Sequence, residues 1–171
     1  MEKLAKKITF LVSVLCFLSL LSSTYGHTDR FMVEGKVYCD NCRTQFITRI
    51  SQFMKGAKVR LECKEMEGGS LTFSEEAETN ESGTYIIEVD GDHEDDLCEI
   101  IPVKSGDPNC SEISNDDYLK KAARISVTSN NGIISGVRQA NPLGFMTKEA
   151  KPECKEVLRE LGFSATGLVN N

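Results

Sequence analysis

Only two histidines occur in the 171 residues, His27 and His93, and neither stands near a cysteine in the sequence. A zinc site built from two close Cys or His pairs therefore has no second half. Gly-x-Ser-x-Gly and His-Glu-x-x-His are both missing, so serine-hydrolase and zinc-protease chemistry have no motif to rest on. Basic charge is also scarce: 20 Lys and Arg stand against 26 Asp and Glu, a net charge of −6. No basic patch is visible, and an acidic surface repels phosphates, which excludes the nucleic-acid-binding class. No internal repeat or low-complexity segment is present. Beyond about residue 21 there is no second long apolar run to cross a membrane.

The one apolar run that exists is at the start. Lys3, Lys6 and Lys7 precede Ile8–Leu21, and the small or polar Ser22-Ser23-Thr24-Tyr25-Gly26 follow. Basic, apolar, then small is the order of a secretory signal, with cleavage expected after Gly26. Residues 27–171 then form one domain of ordinary size, roughly 145 residues. The signal removes three lysines and one glutamate, which takes the mature charge to about −8. It also removes Cys16, leaving Cys39, Cys42, Cys63, Cys98, Cys110 and Cys154. An even cysteine set in a secreted chain predicts three disulfides, with the pairing left open by spacing alone.

Cys39 and Cys42 stand in Val37-Tyr38-Cys39-Asp40-Asn41-Cys42-Arg43 at the spacing of a redox dithiol. Such a dithiol needs the first thiol at a helix N-terminus, and no βαβ pattern follows here. In an extended strand, residues three apart face opposite ways and lie about 10 Å apart, beyond the disulfide limit of about 7 Å. If the strand runs through both cysteines, they bond to different partners.

The remainder reads as short strands. Ala57-Lys58-Val59-Arg60-Leu61-Glu62-Cys63 alternates apolar and charged without a fault. Val33–Cys39 and Tyr85–Val89 repeat the pattern. Leu71–Phe73, Leu97–Val103, Arg124–Thr128 and Ile133–Arg138 are further candidates, separated by Gly/Asn/Asp breakers. Ser105–Asp117 reads as a loop tied down by Cys110. Thr44–Met54 reads as a helical turn or an irregular packed loop. Cys154, Val157, Leu158 and Leu161 stand at i, i+3, i+4 and i+7, with Pro152 before and Gly162 after, which predicts a short C-terminal helix. The predicted fold is all-β, an antiparallel sandwich or barrel of about seven strands with three disulfides and that helix.

Three polar features were candidates for function. Asp90–Asp96 is acid-rich, but the EF-hand positions for Gly and Glu hold Asp95 and Ile101, so it is expected to be a solvated hairpin tip. A looser oxygen-ligand calcium module stays as an alternative. Asn80-Glu81-Ser82 and Asn109-Cys110-Ser111 are glycosylation sequons, at Asn80 on a turn and at Asn109 beside a bridging cysteine. A pair of carboxylates for glycoside hydrolysis is permitted by the abundance of acids, though none is singled out.

At Glu34-Gly35-Lys36-Val37-Tyr38-Cys39-Asp40-Asn41-Cys42-Arg43 the chain resembles the signature of the Ole e I-like pollen proteins, the olive-pollen-allergen and extensin family. Phe46-Ile47-Thr48, Lys55–Cys63, Cys98-Glu99-Ile100 and Asn141-Pro142-Leu143-Gly144-Phe145 extend the resemblance over nearly the whole mature chain. It implies a secreted β-barrel or sandwich that is not an enzyme and needs no cofactor. It implies the pairs Cys39–Cys110, Cys42–Cys154 and Cys63–Cys98, and a role in pollen-tube or cell-wall biology, with possible allergenicity. With four prolines and no Pro-rich repeat, the chain is not itself an extensin. The glycan position of close relatives would fall near Asn131, which is not in a sequon here. The expected partner is an extracellular protein such as a receptor ectodomain, or a wall polysaccharide. The alternatives are a carbohydrate-active enzyme of the matrix and the calcium-dependent module.

Overall fold

The computed structural model describes residues 29–117, 123–164 and 167–168. The expected signal segment 1–26 and His27 lie outside the described residues. Among the described residues no helix is long and apolar enough to cross a membrane.

The chain is mostly strand, arranged as two larger sheets. The first is organised around β1 (Arg30–Asp40), whose eleven residues serve neighbours on both sides. β5 (Thr84–Asp90) pairs antiparallel along its first half, from Arg30↔Asp90 to Lys36↔Thr84. The two-residue β2 (Gln52–Phe53) pairs antiparallel with its second half. The remaining pairings run parallel to β1: β8 (Val137–Gln139) beside Met32–Glu34, and β9 (Leu143–Met146) beside Val37–Asp40. The second sheet is wholly antiparallel, in the order β4 (Leu71–Glu78), β3 (Lys58–Glu65), β6 (Asp96–Lys104), β7 (Arg124–Ile125). A helix, α1 (Cys154–Glu160), and a two-stranded ribbon of β10 (Phe163–Ser164) and β11 (Gly167–Leu168) complete the described chain.

Period-2 alternation builds the core between the sheets. Val33 and Val37 of β1, Val59 and Leu61 of β3, Ile87 and Val89 of β5 and Ile100 of β6 are all buried in one cluster. Cys63 and Cys98 face each other in the β3–β6 register and are bonded, with Cα atoms 4.0 Å apart. β4 is longer than its three apolar residues suggested. It is a solvated edge strand whose register rests on charge pairs, such as Arg60 Nη2 donating to Glu76 Oε1 at 2.6 Å.

Two segments predicted as strands shrink to stubs. Arg124–Thr128 keeps only β7, and Ile133–Arg138 keeps only the start of β8. Side-chain hydrogen bonds replace the ladder there: Arg138 Nη2 donates to the Thr128 carbonyl at 2.8 Å, Asn131 Nδ2 to Ser126 Oγ at 3.0 Å, and the Ile133 amide to Asn131 Oδ1 at 3.0 Å. The Arg138 guanidinium lies 4.7 Å from the Phe31 ring centre, which keeps this buried cation on an aromatic face. The predicted C-terminal helix forms, but Pro152 stands before the Glu153 cap, two residues ahead of the first helical position. Cys154 and Val157 of its stripe are buried, whereas Leu161 is half exposed.

Two glycines admit tyrosines across the first sheet. Gly35 is paired with Tyr85, and a Cβ on Gly35 would lie 2.2 Å from the Tyr85 hydroxyl. Gly144 is paired with Tyr38, and its Cβ would lie 2.9 Å from that ring. Each ring therefore lies over bare backbone, Tyr85 inside the core and Tyr38 at the end of β1 where both faces are buried.

Candidate functional site

The best-defined local structure begins where β1 ends. Cys39 points inward with the core set and is bonded to Cys110, which anchors the long loop after β6 (Cα–Cα 5.9 Å). The chain turns at Asn41, and Cys42 is bonded to Cys154 at the start of α1 (Cα–Cα 5.4 Å). The bridges close 71 and 112 residues of chain. By loop entropy each contributes on the order of 4–5 kcal/mol as an upper value.

Between and beyond the two cysteines, buried polar groups fix the following loop. Asp40 is fully buried, and its carboxylate accepts from the Cys42 amide at 3.0 Å, the Gln45 amide at 2.6 Å and the Thr44 hydroxyl at 3.4 Å. Asn41 donates from Nδ2 to the Ile50 carbonyl at 2.7 Å, and its own carbonyl accepts from the Lys151 amide at 3.0 Å. Thr48 and Ser51 close the far end, amide to hydroxyl, at 2.9 Å. Within this frame Arg43 and Gln45 both take positive φ, 58° and 65°. For side-chain-bearing residues that conformation costs roughly 1–2 kcal/mol each, and the Asp40 bonds hold it in place.

The loop displays apolar residues to solvent. Phe46 and Ile47 are 38% and 44% exposed, and Phe53 just beyond is 48% exposed. The Lys36 ammonium lies 4.4 Å from the Phe53 ring centre, and Phe46 stacks on Phe163 at 6.0 Å. Arg49 forks onto Glu160 of α1 with contacts of 2.8 and 3.1 Å, so its charge is raised further in basicity by that carboxylate. Charged and apolar groups thus alternate over a surface whose backbone is fixed from beneath.

A cavity of about 250 Å³ adjoins the same junction. Tyr38 and Asp40 of β1, Ile101 of β6, Leu143 of β9 and Ile113 of the tethered loop help to line it. Tyr38 is 2% exposed and faces this cavity. Burial, with the Asp40 charge adding to it, pushes this phenol up to about 12.

The other sequence candidates are scattered. Asp92 accepts from the Ser129 hydroxyl at 2.7 Å, and the Ser129 and Thr128 hydroxyls hold it below the usual carboxylate range. Asp96 accepts from Thr72 at 2.6 Å and from His93 Nδ1 at 2.8 Å, and is lowered by those two bonds. Asp90 pairs with Arg30 on β1, and Glu94 accepts from Asn130. Four acids of the tip, Asp90, Asp92, Glu94 and Asp96, therefore turn to separate partners rather than to one point. Among the described residues, Cys63, His93 and Cys98 bring three ligand-type atoms within 4.8 Å of one another, and their two sulfurs are taken by the disulfide. Asn80 is exposed on the β4–β5 turn, where its Oδ1 accepts from the Ser82 amide at 2.9 Å and the Ser82 hydroxyl at 2.8 Å. Asn109 is exposed in the Cys110 loop, its amide donating to Asp107 Oδ1 at 2.9 Å.

Sequence reasoning passed over Tyr38, Asp40 and the outward display of Phe46 and Ile47. The available signal was the polar Asp40-Asn41 pair directly after an inward-facing cysteine, in a strand too apolar at its end to have a wet face.

The fold and site define a small disulfide-clamped β protein with a braced surface loop. Its sequence matches the family model described as "Pollen protein Ole e 1 like" over residues 29–162. The chain belongs to the Ole e 1-like pollen protein family. It is 59% identical over 166 residues to the Olee1-like protein of Betula pendula, covering 97% of this chain and 99% of that one. It is 46% identical over 156 residues to the anther-specific protein LAT52 of Solanum lycopersicum, covering 91% and 95%. Its fold matches the crystal structure of the major plantain pollen allergen Pla l 1 with a TM-score of 0.63 and 37% identity, over 73% of this chain and 99% of that one.

Proposed function

We propose that this is a secreted, non-enzymatic pollen protein that acts by binding an extracellular protein partner, such as a receptor ectodomain, through the loop from Asn41 to Ser51. The observation that carries the reading is a rigid loop with exposed apolar side chains: Phe46 and Ile47 stand out from a backbone fixed by buried Asp40, buried Asn41 and two disulfides. A preorganised loop loses little entropy on binding, and aromatic anchors carry much of the energy of protein interfaces. The anther-specific and pollen-allergen relatives support the tissue. The basic-apolar-small start of the sequence supports export, and Asn80, exposed on its turn, is the first position to examine for a glycan. A wall polysaccharide is the weaker partner, because the chain has no tryptophan and Tyr38 and Tyr85 are both buried.

The test is quantitative capture from pollen-surface and wall extracts. The full disulfide-bonded chain is compared with Phe46→Ala/Ile47→Ala and with Met66→Ala, which trims a residue 68% exposed far from the loop. A specific partner should be lost with the double variant, at least 10-fold in recovery, and retained with the control. Equal recovery with all three, or binding to wall glycans alone, would overturn the proposal.

A further inference from the structure

The cavity beside Tyr38 borders the partner loop through Asp40 and Gln45, but the exposed Phe46 and Ile47 are not part of its lining, and its chemistry points to a separate job. It lies between elements of the two sheets: Tyr38 and Leu143 come from the β1 side, Ile101 from β6, and Ile113 from the loop that Cys110 ties back to β1. Its volume of about 250 Å³ exceeds the roughly 150 Å³ that holds one benzene ring in a dry cavity. A ring with a short tail therefore fits.

Most of its exposed wall is apolar, and Asp40, Gln45, Glu99, Ser114 and Asn141 join Tyr38 as its polar lining. The Asp40 carboxylate is saturated by three donors from its own chain. Tyr38, 2% exposed, brings its phenol to the cavity wall. Phenylalanine would fill the same space over Gly144, so the hydroxyl is what this tyrosine adds at the cavity wall. A hydroxyl that both donates and accepts suits a directional contact to a guest. The charges of Asp40 and Glu99 at the walls disfavour an anion, and the apolar lining strips water from a cation without a free carboxylate on Asp40 to replace it.

The geometry points to this cavity as a binding site for a small, uncharged, ring-containing molecule with one hydrogen-bonding group, of the phenol or aryl-alcohol class, held by the Tyr38 hydroxyl. The proposal is independent of the partner-loop reading.

Three probes with one ring and different tails decide it: 2-phenylethanol, phenylacetate and 2-phenylethylamine, measured by ligand-detected NMR on the full disulfide-bonded chain, with ethylbenzene as the tail-less reference. The alcohol should bind at least about 10-fold tighter than either ion. Tyr38→Phe should weaken the alcohol by about 3- to 10-fold, the equivalent of one hydrogen bond, and leave ethylbenzene unchanged. Ile101→Trp should abolish binding of both by filling the cavity. Tyr38→Phe keeps the ring over Gly144 and is informative even if Ile101→Trp fails to fold. No binding of the alcohol at millimolar concentration, equal binding of phenylacetate, or an equal loss of ethylbenzene in Tyr38→Phe would overturn the assignment. Both variants leave Phe46 and Ile47 in place, so partner capture should survive them, and the two readings fail separately.

Discussion

Replacing Gly35 by alanine tests whether the tyrosine–glycine contact inside the core is as tight as the structure makes it. The added methyl would sit 2.2 Å from the Tyr85 hydroxyl oxygen, 2.5 Å from Cζ and 2.9 Å from Cε1. Ordinary contact between such atoms needs about 3.5–4.0 Å. Tyr85 would have to retreat by over an ångström, yet it is 1% exposed and packed in the main cluster. Overpacking of that kind costs about 1–3 kcal/mol. The lower entropy of an unfolded chain carrying alanine returns about 0.4–1 kcal/mol, so a net loss of about 1–2 kcal/mol is expected from urea denaturation with the disulfides intact. The far ring atoms cause the clash, so Tyr85→Leu should erase most of the penalty in a double-mutant cycle, with a coupling of about 2 kcal/mol. Tyr85→Phe should not erase it, because Cζ remains. That single variant should instead stabilise by about 1 kcal/mol, since the Tyr85 hydroxyl is buried with no hydrogen-bond partner among the described residues. A Gly35→Ala protein within 0.5 kcal/mol of the parent, or a cycle with no coupling, would refute the reasoning.

Alkaline stability and the bracing of the loop give two more tests. Burial raises Tyr38 to about 12 and raises Tyr85 as well, so both phenols keep their protons in the fold while the unfolded chain releases them from about pH 10. The unfolded state then binds fewer protons, and stability should hold up to about pH 10 and fall between pH 10 and 12. Tyr38→Phe should flatten part of that fall in urea midpoints compared at pH 9 and pH 11; an unchanged slope would show that Tyr38 is not held protonated. Asp40→Ala should cost about 2–4 kcal/mol, because the buried Cys42 amide and the partly buried Gln45 amide lose their acceptor. Hydrogen exchange at Gln45 should accelerate with it, and an amide that stays protected would mean the loop is held by the bridges alone.

The parts of this fold that the sequence displayed are those where one chemical pattern had one structural solution. Ala57–Cys63 alternates because β3 has one core face and one charged face, and the structure places it so. β4 was harder to see, since Ser74-Glu75-Glu76 carries no apolar period and the strand is recognisable only through its cross-strand partners on β3. The parallel docking of β8 and β9 on β1 was hidden by Asn141-Pro142, which reads as a breaker, and by Gly144, which is a weakness in a strand until Tyr38 is laid over it. Thr44–Met54 has helical spacing, but its apolar residues serve different surroundings: Phe46 and Phe53 face solvent and Met54 enters the core. The site suffers the same ambiguity. An aspartate after a cysteine reads as a polar strand end, and nothing local says that its carboxylate is sealed inside and holding three groups of the next turn.

The two bridges at the end of β1 overlap in sequence, Cys39 to Cys110 and Cys42 to Cys154. Backbone and disulfides together form closed rings that share the chain from Cys42 to Cys110. Any single peptide bond between Cys39 and Cys154 therefore belongs to a ring, and cutting it opens the ring without separating the pieces. A protease that nicks the exposed Ser105–Asp117 loop would leave one molecule on a non-reducing gel and two fragments only after reduction. The segments that close over the braced loop and the cavity would stay tethered to β1 throughout.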